Sequence, residues 1–160
     1  MSQAPPVTNY QDLGLRPLIN CIGTITTLSG SLALPQVRQA MAEASTRYVI
    51  ISELMEAVGA RLGQVMQCEW GLVTNGCAAA LTQVTAACVA GTDPEQIGRL
   101  PDTAGMKDEV IVQACHRMGY DRAIRAVGVR FVEVTTAAQL EAAYSERTAM
   151  VFLFGDASER

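Results

Sequence analysis

Few residues in this chain have side chains suited to chemistry, and their spacing limits what they can do. His116 is the only histidine and Lys107 the only lysine among the 160 residues. His116 follows the apolar run Val110 to Gln113, a place from which an imidazole stacks on a flat cofactor or shuttles a proton. It is equally a place for a hydrogen-bonded structural histidine, and the residues alone leave both open. Lys107 stands beside Asp108 and Glu109 at the foot of a polar loop, whereas an imine-forming lysine is usually desolvated so that its amine is free to attack. The five cysteines, at positions 21, 68, 77, 88 and 115, show no CxxC spacing. One histidine and scattered thiols close no metal site.

A stronger signal lies in Trp70 to Gly91, WGLVTNGCAAALTQVTAACVAG. Trp70 to Thr74 is a short run of β-formers, Asn75-Gly76 is a turn pair, and Cys77 to Ala90 carries only small or apolar side chains apart from its hydroxyls and one amide. The pattern predicts strand, tight turn and buried helix. Such a turn leaves the first amides of the helix unpaired at the positive end of its dipole, which is a seat for a phosphate. No lysine follows Gly76, so the nucleoside-triphosphate loop GxxxxGK[ST] is absent, and GxGxxG is missing too. A single phosphate on a small cofactor fits better. Cys77, without a paired base, reads as a small residue that lets backbone approach an anion.

The elements that must hold these residues follow from periodicity. Met1 to Thr8 reads as an arm, and Arg16 to Ser31 as a short extended run passing into a Gly/Ser/Thr loop that lines a site or simply covers the surface. Pro35 to Val49 has helical spacing of Val37, Met41, Ala44 and Tyr48, and a second helix follows Ser52 with Leu54, Val58, Leu62 and Val65 on one face. These stripes are expected to be core or subunit interface. Pro94 to Leu100 forms a turn or two of helix inside the long segment Gly91 to Glu109, whose length suggests a flap or an interface segment.

A regular alternation then begins. Val110 to Gln113 reads as a strand, Tyr120 to Val127 as a helix, and Arg130 to Val134 as a strand. Thr136 with Gln139 makes a capping box, and Ala149 to Phe154 is a further strand. The charged residues Arg117, Asp121, Arg122 and Arg125 read as a solvated face. Alternation at this spacing predicts an α/β fold, in which N-terminal helices precede a mostly parallel sheet with helices on both faces. The expected divisions are an arm over 1–15, a loop and helical segment over 16–69 and the α/β domain over 70–160. Such sheets bind ligands at the carboxyl ends of their strands, so Thr74 to Gly76 and Gln113 to His116 are expected to face one crevice.

Composition removes several function classes. Hydrophobic residues make up 49% and charged ones 18%, with a formal net charge of -4. That balance offers no general attraction to a phosphate backbone, so nucleic acid is not expected as a partner. The unpaired cysteines predict reduced thiols in a cytoplasmic protein. The start, MSQAPPVTNYQDLG, lacks the basic and apolar regions of a signal peptide, and no apolar run is long enough to span a bilayer.

Three blocks carry a resemblance to a known family. RPLINCIGTITTLSGSLALPQVRQAM, LVTNGCAAALTQVTAACVAGTDPEQIGRLPDTAGMKDEVIVQ and HRMGYDRAIRAVGVRFVEV, in that order, resemble the selenocysteine-synthase-like group of fold-type-I pyridoxal-phosphate enzymes. That group includes the L-seryl-tRNA(Sec) selenium transferases and the D-glucosaminate-6-phosphate ammonia-lyase-like proteins. The resemblance runs from about Tyr10 to Gly155. It implies a partial aspartate-aminotransferase-like large domain and pyridoxal 5'-phosphate as cofactor. TNGCAAA stands where the family's backbone turn holds the cofactor phosphate, so Asn75, Gly76, Cys77 and Ala78 inherit that role. His116 inherits a position against the pyridine ring. The usual Arg-Gly ahead of that histidine reads Ala114-Cys115 here, and Cys77 replaces a smaller residue.

The same resemblance implies that the acid facing the pyridine nitrogen and the Schiff-base lysine come from segments after Phe154, so this chain is expected to be an N-terminal fragment without a catalytic residue of its own. The implied activity is elimination or β-replacement on an amino acid or amino sugar by a lyase or transferase that forms homo-oligomers when full length. The acidic balance and the lack of an extra domain before Arg16 speak against a tRNA partner, which leaves the selenium transferase proper as the alternative within the family. Two further readings stand outside it. One is a non-catalytic fragment acting as a binding or oligomerisation module, and the other an unrelated phosphate-binding α/β domain.

Overall fold

In the computed structural model, which describes residues 6–155, the chain divides into two compact units, Met1–Glu53 and Leu54–Arg160. The first unit holds 3-10 turns at Gln11–Leu13 and Thr26–Leu28, an isolated antiparallel bridge between Ile25 and Gly30, and helix α1, Pro35–Ala44. Its hydroxyl-rich stretch from Arg16 to Ser31 is mostly exposed.

Helix α1 starts with Pro35 in its first turn. It stops at Ala44, five residues short of the predicted Val49, because the Ser45 and Thr46 hydroxyls donate to the carbonyls of Ala42 and Glu43. Side chains that bond back to the preceding turn compete with further helix. Val37, Met41 and Tyr48 are exposed, so this stripe is not core within its unit.

The boundary between the units falls inside helix α2, Ile51–Met66. Its buried residues are Gly59 and Gly63, not the apolar stripe expected from periodicity, and Leu54 and Val65 are exposed. The glycines admit the returning chain. The Cys68 amide donates to the Gly63 carbonyl, and the Gly71 amide to the Gly59 carbonyl, each at 3.0 Å. The Trp70 indole lies over Gly59, where an added Cβ would sit 2.1 Å from a ring carbon.

This packing explains a departure from the sequence reading. Trp70 to Thr74 is not a strand. Its β-forming side chains find no partner strand among the described residues, and its one long-range backbone hydrogen bond goes to α2. Propensity without a neighbour to complete the ladder does not make a sheet.

Helix α3, Cys77–Ala90, follows, and then α4, Pro94–Arg99, which Asp93 caps by accepting from the amides of Glu95 and Gln96. Strands β1, Glu109–Gln113, β2, Arg130–Val134, and β3, Thr148–Phe152, form a three-stranded parallel sheet in the order β2-β1-β3. Val110 pairs in register with Phe131 on one side and Met150 on the other. That row meets Val89 of α3 together with Ile124, Val127 and Val129 in the core. Ile111 and Val134 project to the opposite face and are buried as well.

Between β1 and β2 the expected helix over Tyr120 to Val127 shrinks to 3-10 turns at Ala114–His116 and Gly119–Asp121 and a short α5, Arg122–Arg125. Between β2 and β3 lies α6, Ala137–Ala143, which packs along β2. The architecture is α/β with a parallel sheet and helices on both faces.

Residues Gly91 to Asp108 do not hang free as a flap. Leu100 and Met106 pack against the core, and the Thr103 hydroxyl donates to the Gly128 carbonyl. Gly128 has φ +100°, and a Cβ there would lie 1.9 Å from the Pro101 carbonyl oxygen, so only glycine allows this approach.

Candidate functional site

Asn75, Gly76, Cys77 and Ala78 occupy the turn into α3, and all four are exposed. Gly76 is the residue before the first helical turn, with φ +89° and ψ 172°, a backbone conformation open only to glycine at low cost. Its amide donates to the Thr74 carbonyl at 2.8 Å, and the Thr74 hydroxyl donates to the Gly76 carbonyl at 3.0 Å. This pair of bonds closes the turn on itself.

No side chain caps α3, and the amides of its first turn have no acceptor within the helix. A Cβ built on Gly76 would meet nothing within 4 Å. The local geometry thus combines first-turn amides without a helical acceptor, the positive end of a 14-residue helix and room at the Gly76 Cβ position. A phosphate satisfies all three.

The helix behind the turn is less buried than its composition predicts. Thr85, Val89 and Ala90 are buried, whereas Val84 and Cys88 are exposed. The Thr82 hydroxyl donates to the Ala123 carbonyl at 3.0 Å and ties the N-terminal half of α3 to the crossover that leaves the carboxyl end of β1.

His116 closes the first 3-10 turn after β1 and is half-buried. Its Nδ1 accepts from the Phe154 amide at 3.3 Å, two residues past the end of β3. The imidazole therefore joins the carboxyl ends of β1 and β3, the edge at which parallel sheets take their ligands. With Nδ1 as acceptor, the neutral ring carries its proton on Nε2.

The sequence reading missed the neighbour of this histidine. Asp121 is 5% exposed rather than part of a solvated face. The Arg117 Nε donates to Asp121 Oδ2 at 2.6 Å, and its Nη1 donates to Glu133 on β2. The same guanidinium lies 4.6 Å from the centre of the Phe131 ring. The hydrogen bond to Asp121 holds the Arg117 guanidinium above its ordinary range. Arg122 and Arg125 are exposed as expected. The alternation of Phe131 and Glu133 along a strand that neighbours β1 was the available signal, but it identified no partner without the register.

The opposite end of the sheet carries a second polar cluster. Glu109, 6% exposed, takes a hydrogen bond from Ser145 and ion pairs from Arg130 and Arg147. Arg147 also donates to Asp108, which lowers the Asp108 pKa. Beside it a cavity of about 420 Å³ is lined by residues including Thr103, Lys107 and Arg147. Lys107 is exposed. This cluster fastens the amino ends of β1, β2 and β3.

All five cysteines are free thiols. Among the described residues no group of three or more His, Cys, Asp or Glu could hold a metal ion, and no helix is long and apolar enough to cross a membrane.

Comparison with known proteins places these features. No family model matches the chain. It is similar to D-glucosaminate-6-phosphate ammonia lyase of Salmonella typhimurium (strain 14028s / SGSC 2262), with 35% identity over 149 residues covering 88% of this chain and 40% of that protein. It is also similar to a 5'-C-glycyluridine monooxygenase-decarboxylase of Streptomyces sp, with 32% identity over 150 residues covering 88% of this chain and 38% of the relative. A solved structure of D-glucosaminate-6-phosphate ammonia-lyase superposes with a TM-score of 0.85 at 34% identity, over 89% of this chain and 41% of that one. The chain thus spans about two fifths of the length of the relatives it matches. Over that span its sequence and its fold agree with the ammonia-lyase-like group that the three sequence blocks resemble.

Proposed function

We propose that this chain supplies the phosphate-binding part of a pyridoxal-phosphate site in a lyase that removes an amino group by elimination. The observation that carries the reading is the uncapped N-terminus of α3 behind Gly76, whose φ of +89° leaves the backbone open to an anion. The amides of the first helical turn, from Cys77 and Ala78 onward, hold the phosphate. Asn75 and Gly76 shape the turn that presents them. His116, set by Phe154 at the carboxyl ends of β1 and β3, orients the cofactor ring by packing against it. Pyridoxal phosphate, when bound, supplies an electron sink for the carbon bearing the substrate amino group.

Lys107 is exposed beside Asp108 and Glu109, whereas an imine-forming lysine is usually desolvated. We assign it no covalent role, and we assign no catalytic residue within this chain. Two relatives named for different reactions match this chain over about the same two fifths of their lengths. That supports a shared cofactor-holding function here, with the choice of reaction made elsewhere in those proteins. The substrate class is a small amino-bearing molecule, an amino acid or an amino sugar, with the sugar phosphate of the ammonia lyase as the nearest guide. Exposed apolar side chains on α1, among them Val37 and Met41, support a homo-oligomer. The net charge of -4 supports no tRNA partner. Free thiols suit a reducing, cytoplasmic setting.

Equilibrium dialysis of the protein against pyridoxal phosphate, inorganic phosphate and unphosphorylated pyridoxal tests the reading. Retention of the first, competition by the second and weak retention of the third are expected. Equal retention of pyridoxal with and without its phosphate would overturn it.

A further inference from the structure

We propose that Arg117 is a positioning residue for His116, clamping the 114–121 segment to β2 so that the imidazole is held at the carboxyl edge of the sheet. The inference rests on the reading of His116 given above, and the observations that carry it are independent of any cofactor. The segment from Ala114 to Asp121 contains two 3-10 turns, each three residues long. Its own backbone bonds are sparse: the Arg117 amide donates to the Ala114 carbonyl at 3.3 Å and the Asp121 amide to the Met118 carbonyl at 3.1 Å. Turns held so lightly open readily.

His116 ties the segment to the end of β3, Arg125 also approaches Asp121 at 3.9 Å, and Arg117 is the side chain that ties the segment to β2. Arg117 reaches forward to Asp121, across to Glu133 and over the Phe131 ring. Asp121 is buried and belongs to the segment itself, whereas Glu133 and Phe131 belong to β2. Glu133 pairs in register with Val112, one residue before the end of β1. The guanidinium therefore bridges from the 3-10 segment to the sheet within one residue of His116. An arginine fork is suited to this because its donors lie in fixed directions and its flat face stacks on an aromatic ring. Lysine could keep the charge and lose the geometry.

The consequence appears at the histidine's own hydrogen bond. If Arg117 sets the segment, then loosening it should release the Phe154 amide from His116 Nδ1 while the core strands stay closed. Hydrogen exchange followed by NMR on the intact protein reads both at once. In Arg117→Met, the Phe154 amide should exchange at least about tenfold faster, with the Val112 amide unchanged, and Arg117→Lys should recover part of the protection. A Phe154 rate within about twofold of the unaltered protein, or an equal acceleration at Phe154 and Val112, would overturn the proposal.

Should Arg117→Met fail to fold by circular dichroism, Glu133→Ala decides the matter, since it removes the exposed acceptor on β2 and leaves Asp121 paired. The same two outcomes then apply to it. Pyridoxal phosphate affinity is the second arm. A faster Phe154 exchange together with weaker cofactor binding supports the whole chain of inference. Faster exchange in a protein that never binds the cofactor supports the clamp and overturns the cofactor reading alone.

Discussion

His116 accepts a hydrogen bond from the backbone of Phe154, 38 residues later in the chain and 3.3 Å away. One side chain thereby joins the ends of two neighbouring parallel strands. The bond commits the Nδ1 lone pair.

Replacing this histidine separates its two roles. His116→Ala should cost about 0.5–1.5 kcal/mol of folding stability, the worth of one hydrogen bond. Cofactor affinity should fall at least about tenfold, which corresponds to about 1.4 kcal/mol. Urea titration measures the first quantity and equilibrium dialysis the second. A loss of affinity no larger than the loss of stability explains would return His116 to a structural role.

Gly76→Val tests the turn. A Cβ there would meet nothing within 4 Å beyond the adjacent residues, so the backbone conformation sets the cost. A β-branched residue at φ +89° is strained by about 1–3 kcal/mol. The turn would relax away from the conformation that presents the α3 amides, and retention of phosphate and of pyridoxal phosphate should both drop at least about tenfold. Unchanged retention in a folded variant would count against the site.

Gly59→Ala tests how that turn is supported. The added methyl would stand 2.1 Å from the Trp70 ring, which forces either the indole or α2 to shift, at about 1–3 kcal/mol. Trp70 is the only tryptophan, so its emission reports the movement directly. A red-shifted spectrum with a lower urea midpoint is expected. An unaltered spectrum would mean that the close approach of Trp70 to Gly59 does not persist in solution.

Acid should loosen the amino-terminal end of the sheet. The Arg147 hydrogen bond lowers the Asp108 pKa below its ordinary 3.8. A carboxylate with a depressed folded-state pKa contributes stability that is fully present above its unfolded value and is lost as pH falls through the lower folded value. The gap in stability between the unaltered protein and Asp108→Asn should therefore be constant from neutral pH down to about 4 and close as pH falls below it. Denaturant titrations at several pH values check this, and a gap that widened on acidification would refute the pairing.

Much of the α/β half was legible because its signals are local. β2 spans Arg130–Val134, the same residues that the alternation of apolar and polar positions predicts. The Thr136 hydroxyl accepts from the Gln139 amide at 3.2 Å, and the Gln139 side chain accepts from Thr135 at 2.8 Å, so the capping box is met within four residues. The α3 turn needed only Gly76, whose positive φ is a property of one residue, and the uncapped amides that follow it.

What local pattern could not supply depended on partners far along the chain. Trp70 to Thr74 has the composition of a strand, yet a strand exists only by pairing, and the segment's long-range backbone bond is to Gly59. Arg117 and Asp121 read as a solvated face until β2 brought Glu133 beside them from 16 residues away. Asp108 and Arg147 lie 39 residues apart and meet only because β1 and β3 run side by side. The sequence by itself determined the sheet, its caps and the turn into α3, since hydrophobic period and backbone conformation are encoded within a few residues. The tertiary structure alone decided which charges pair and what steadies His116, because an ion pair is a matter of distance in space.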